Sequence, residues 1–87
     1  MRRRVVVHGF VQGVFFRDTT RRLALEHGVS GWVRNTWEGT VEAVFEGPPA
    51  AVERLVEFVH GGPSGALVEQ VEVFEEDEEG LVGFRIV

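Results

Sequence analysis

The apolar residues of this chain change their period at Phe16. Before it, Val5, Val6 and Val7 lead on to Phe10 as a β-branched and aromatic run, which predicts a strand over about residues 3–11. After it, Phe16, Thr20, Leu23, Ala24 and His27 recur at helical spacing. That predicts a helix over about 17–27, stopped at Gly28, where glycine tolerates the left-handed conformation of a helix end. The switch then repeats. Residues 30–36 and the alternating Val41, Ala43 and Phe45 read as two strands joined by a tight turn at Glu38-Gly39. Pro48-Pro49 end the second strand and open a helix over about 50–60. Val52, Leu55, Val56 and Val59 form its apolar stripe, with Glu53, Arg54 and Glu57 opposite, and Gly61-Gly62-Pro63 close it. Residues 67–75 alternate again from Val71. Residues 81–87 form a last strand with Phe84 and Ile86 on one face.

The order β-α-β-β-α-β plus a short terminal strand predicts an α+β fold. It is a ferredoxin-like two-layer α/β sandwich, an antiparallel sheet with two helices on one face. The 87 residues suffice for one domain with one core, and no linker or repeat divides residues 1–87. That topology hosts many activities, so function has to come from a site.

Composition removes several classes. There is no cysteine, hence no disulfide framework and no thiolate nucleophile. His8, His27 and His60 lack metal-ligand spacing, and neither Ser30 nor Ser64 sits in a G-x-S-x-G turn. No apolar run approaches the roughly 20 residues of a membrane-spanning helix. Val5-Val6-Val7 is too short for the apolar part of a signal peptide, so the expectation is a cytoplasmic protein with no membrane partner. The net charge of −5 opposes non-specific nucleic-acid binding. The charge is uneven, however: residues 1–37 sum to +5 and residues 38–87 to −10. A local anion site in the first part is compatible with this. The acidic run Glu75-Glu76-Asp77-Glu78-Glu79 reads as a solvated turn.

The stretch HGFVQGVFFR, residues 8–17, raises the functional question. A glycine inside a strand marks a bulge, a bend or a close backbone approach. Gln12-Gly13-Val14-Phe15-Phe16 then connects strand to helix. A loop feeding a helix N-terminus leaves backbone N–H groups without partners, and these can curl into an anion-binding nest. Arg17 at the helix start opposes the helix dipole unless an anion lies between them. Its planar fork holds two phosphate oxygens at once. A phosphate site and a tight β–α connection with a surface arginine are both open on these grounds. Asn35 alone reads first as a turn-stabilising asparagine beside the hairpin.

These residues resemble the acylphosphatase family. The first stretch matches its V-Q-G-V-x-F-R loop at Val11, Gln12, Gly13, Val14, Phe16 and Arg17. The second, GVSGWVRNTWEGTVEAVFEG, matches its G-W-V-x-N strand at Gly31, Trp32, Val33 and Asn35. The closing GFRIV looks like its last strand, and the resemblance spans nearly the whole chain. The chain departs at Phe10, where arginine is common, and at Phe15, where a small residue is common. The resemblance implies hydrolysis of the carboxyl–phosphate bond of acyl phosphates. Arg17 and Asn35 take the catalytic positions, and backbone N–H groups of Gln12, Gly13, Val14, Phe15, Phe16 and Arg17 cradle the phosphate. It implies no cofactor and no metal, a small acyl phosphate as the only partner, and a monomer. Trp32 is expected in the core, and Phe15 and Phe16 are expected to pack rather than touch substrate. The Val87 carboxylate is expected near Arg17 and able to pair with it. One alternative is a non-catalytic domain binding an acyl or carbamoyl phosphate within a larger maturation enzyme; a chain ending at Val87 favours the free-standing enzyme. The other is an RNA-binding module, opposed by acidic, aromatic-poor central strands.

Overall fold

A computed structural model describes all residues, 1–87. The elements follow the expected order: β1 (Arg2–Phe10), α1 (Phe16–Glu26), β2 (Ser30–Asn35), β3 (Val41–Glu46), α2 (Pro49–Gly61), β4 (Leu67–Glu75) and β5 (Phe84–Ile86). The five strands form one sheet in the order β4-β1-β3-β2-β5. The first four pair antiparallel, as expected. The fifth joins β2 in parallel, so the sheet is mixed rather than wholly antiparallel.

Strand periodicity divides the sheet into two unlike faces. Val5, Val7, Val33, Val41, Ala43 and Phe45 point to one face and meet Phe16 and Ala24 of α1 and Val52, Leu55 and Val59 of α2. That is the core, and it is almost entirely aliphatic. Two glycines are dictated by packing inside the sheet. A Cβ on Gly31 would stand 1.8 Å from the Val44 carbonyl oxygen, and one on Gly9 would stand 2.1 Å from the Leu67 carbonyl oxygen. Gly9 sits where the β1–β4 register shifts after His8, so the glycine inside the opening strand marks a bulge.

The other face carries charge. Arg4 lies opposite Phe74, and its guanidinium stands 4.3 Å from that ring's centre. Glu42 takes Arg4 on one side at 3.2 Å and Arg34 on the other at 2.7 Å. Trp32 is on this face too, half-buried between Val44 of β3 and Arg85 of β5. The expectation of a core tryptophan therefore fails: period 2 puts Trp32 on the face opposite Val33.

The acidic run is exposed except at Glu76, as a solvated segment would be, but four of its five carboxylates are in ion pairs. Residues 76–83 carry the chain from β4 at one sheet edge to β5 at the other, past the start of β1 and the end of β3. Glu76 binds Arg2 and Arg4 at 3.0 and 2.9 Å, and Glu78 pairs with the Met1 ammonium. Glu46, only 6% exposed, accepts the backbone N–H groups of Glu79 and Leu81 at 2.9 and 2.7 Å and pairs with Arg2 at 3.2 Å. This anchorage holds 79–81 out of strand register, so the last strand begins at Phe84 rather than at 81.

Those contacts hold the Glu46 carboxyl below the ordinary carboxylate range. The Glu79 backbone donor contributes most, against an opposing cost of burial, and the Leu81 donor and Arg2 add to it. Arg4, then Arg2, lower Glu76 in the same way. A native pKa below the unfolded value means that the unfolded chain takes up protons first, at about pH 4.3. The stability is present above that range and is lost as the pH falls through the lowered native values. Glu46→Gln is expected to cost roughly 3 kcal/mol near pH 7. It is also expected to flatten the fall in stability between about pH 5 and pH 3, read by urea melts across pH.

Candidate active site

β1 is a central strand, and its chain leaves the sheet beside the β2–β3 hairpin. Val11 is buried at the start of the connection and Phe16 at its end, where the Phe16 ring packs on Phe58 of α2 at 5.9 Å. Between these anchors Val14 turns its side chain onto the core and stands beside Gly65. Gln12 turns the other way. Its Nε2 donates to the carbonyl oxygens of Thr36 and Thr40, both at 2.9 Å. The hairpin those two residues close is itself braced by a Thr36–Thr40 hydroxyl bond of 2.6 Å. Gln12 therefore fastens the loop to the turn that follows Asn35.

The backbone of the loop is bent so that its donors stay free. Gly13 has φ 75° and Phe15 has φ 62°, both left-handed. For a phenylalanine that conformation costs roughly 1–2 kcal/mol. Phe15 is the N-cap of α1 and gives no side-chain cap bond. The N–H groups of residues 12–18 find no acceptor in the chain; the first loop or helix donor that does is Thr19, which reaches the Phe15 carbonyl at 3.1 Å. Such a succession of amides at a helix N-terminus is a concentrated partial positive charge.

A cleft of about 230 Å³ opens on this backbone. Gly13, Phe15, Arg17 and Asp18 line it from the loop and the first turn of α1, and Asn35 lines it from the end of β2. Asn35 lies opposite Val41 on the helix-covered face of the sheet, two residues beyond the core residue Val33. Its Oδ1 is buried without a hydrogen-bond partner. Arg17 is exposed and in no ion pair.

The structure thus brings Arg17, Asn35 and the backbone of Gln12, Gly13, Val14, Phe15 and Phe16 to one place. The side chains of Gln12 and Val14 are committed elsewhere, so these two offer only their N–H groups. Phe16 packs as expected, but Phe15 does not: its ring is 76% exposed at the cleft. Asp18 was not foreseen. Its signal was an acid in the first turn beside Arg17, favourable to the helix dipole. The Val87 carboxylate makes no ion pair with Arg17. The Val87 N–H instead binds the Val33 carbonyl at 3.0 Å, and the residue lines a separate hollow with Trp32.

A run of free backbone amides, a guanidinium in no ion pair and an unpartnered amide oxygen thus lie together at one end of a ferredoxin-like domain. Comparison with known proteins gives the class of domain. The acylphosphatase family model matches residues 3–86. A protein of Gloeobacter violaceus named acylphosphatase is 54% identical over 87 residues, covering all of this chain and 94% of that one. The solved acylphosphatase of Bacillus subtilis superposes with a TM-score of 0.93 at 37% identity, covering 99% of this chain and 97% of that one. Full-length HypF in its phosphate- and nucleotide-bound form gives 0.91 at 26% identity, but this chain covers only 11% of it. The chain belongs to the acylphosphatase family and is a hydrolase of acyl phosphates; the reading as a binding domain of a larger enzyme is not favoured.

Gln12→Ala is expected to cost about 1 kcal/mol by removing the second donor of each hairpin carbonyl, since the Thr36 and Thr40 oxygens keep the N–H groups of Gly39 and Thr36. It is also expected to lower kcat as the loop loses its register on Asn35. Thermal melts and acetyl phosphate hydrolysis check the two effects separately.

Proposed function

We propose that the N–H groups of residues 12–17 and the Arg17 guanidinium hold the phosphoryl oxygens of an acyl phosphate while Asn35 directs the attacking water. The observation that carries this reading is that the N–H groups of residues 12–18 have no acceptor in the chain, while Gly13, Phe15, Phe16 and Arg17 of that stretch line one cleft with Asn35.

The chemistry follows from what the reaction needs. The water oxygen forms a bond to phosphorus as the bond from phosphorus to the acyl oxygen breaks. The electron pair leaves on the carboxylate, which is stable enough to need no strong general acid. Phosphoryl transfer chiefly demands positioning and relief of charge on the equatorial oxygens. Arg17 and the amides supply both, because fixed dipoles need no reorganisation during the reaction. The Asn35 side-chain amide, whose buried Oδ1 has no partner in the chain, turns to the cleft to accept a hydrogen bond from water and sets its line of approach. An amide is too weak a base to take the proton, so a phosphoryl oxygen of the substrate receives it. Within this reading the substrate is a small acyl phosphate, and residues 1–87 act as one domain, as a cytoplasmic monomer.

Arg17→Ala is expected to lower kcat/KM for acetyl phosphate by about 10²–10³-fold with chelator present, the scale of losing one charge-stabilising donor. Asn35→Ala is expected to lower kcat with little change in KM. Asn35→Asp separates the proton routes. Full activity with a profile shifted to acid pH would show that a carboxylate base works here, against transfer to the substrate. Circular dichroism melts establish that each variant is folded.

A further inference from the structure

The nine arginines fall into two groups. Arg2, Arg3, Arg4 and Arg34 all hold carboxylates. Arg17, Arg21, Arg22, Arg54 and Arg85 hold none, and four of these five border two adjoining hollows. The first is the cleft with Arg17. The second lies along α1 and β5, where Arg21, Arg22 and Arg85 outnumber the carboxylates of Asp18 and Glu26; Asp18 belongs to both. In a chain of net charge −5 this concentration of uncommitted cations is local.

The arginines of α1 forgo partners within reach. Asp18 stands three and four residues before Arg21 and Arg22, and Glu26 four after Arg22, which are pairing distances on a helix. No ion pair forms among them. Arg21 is instead set in place by its Nε, which donates to the Phe84 carbonyl at 3.2 Å. Its two Nη groups have no partner in the chain, so the fork is oriented and open. It follows Arg17 by one helical turn, about 6 Å along the axis.

We infer that the groove beside the cleft is a second anion subsite, in which Arg21 and Arg22 bind a negative group on the acyl part of the substrate. This rests on the proposed phosphate cradle. The favoured substrates are acyl phosphates with a carboxylate or phosphate about one helical turn from the phosphoryl group, such as monophosphorylated dicarboxylic acids. Asp18, between the two subsites, repels an anion placed short of Arg21. Length therefore matters as well as charge.

The test compares benzoyl phosphate with 4-carboxybenzoyl phosphate, which differ by the distal carboxylate. In the Arg21→Gln/Arg22→Gln variant, kcat/KM for benzoyl phosphate is expected to stay within twofold. That for the carboxylated substrate is expected to fall about five- to tenfold, through KM, as two partly screened charge contacts are lost. Added salt lowers the wild-type preference in the same direction. Arg22→Gln alone, which removes no contact within the chain, is expected to show a smaller loss with an unchanged melting temperature. An unchanged ratio of the two substrates, or an equal loss on both, overturns the subsite. A wild-type chain that hydrolyses neither substrate overturns the phosphate cradle itself, and the subsite with it.

Discussion

The backbone N–H groups of residues 12–18 have no acceptor within the chain and lie together, largely exposed, at one end of its sheet. Much of the nearby architecture serves to hold them. Val11 and Phe16 bury the two ends of the loop, Val14 pins its middle, and Gln12 ties it to the hairpin after Asn35. A left-handed phenylalanine at the helix N-cap stores further strain there. In the proposed reading a phosphoryl group meets this fixed set of donors without their having to rearrange.

The two ends of the sheet use charge in opposite ways. At the end remote from the loop, Arg2, Glu46 and Glu76 are paired, partly or fully buried, and bonded to the segment that crosses from β4 to β5. There charge is structural: removing one partner strands another in a dry place. Along α1 and at the cleft the arginines are exposed and unpaired. There charge stays unpaired within the chain. A single residue type, used nine times, therefore has two roles that depend on whether a carboxylate was placed beside it.

Much of this was legible in the residues, and what was not has identifiable causes. Period switching at Phe16 and at Pro48-Pro49 located both helices, and the glycine at position 9 announced its bulge. The Q-G-V-x-F-R stretch and Asn35 pointed to one site although they lie on different elements, because the motif supplied the long-range pairing that local reasoning lacks. Trp32 was misplaced because size was weighed above strand alternation. The pairing of the acidic run was missed because its partners, Arg2, Arg4 and the Met1 ammonium, lie more than seventy positions away. The parallel attachment of β5 likewise depends on a crossing segment whose anchor, Glu46, sits on another strand. Phe15 is as apolar as Phe16, and nothing local in the sequence marks it as the exposed one of the pair.

The central claim is that free amides of one loop, with Arg17, bind the phosphoryl group. The most direct measurement is a titration of the ¹⁵N-labelled chain with inorganic phosphate, followed by amide chemical shifts. The account predicts saturable shifts concentrated on residues 12–18 and on the Asn35 side-chain amide. Shifts centred on any other part of the chain, or none at phosphate concentrations that inhibit hydrolysis, would contradict it.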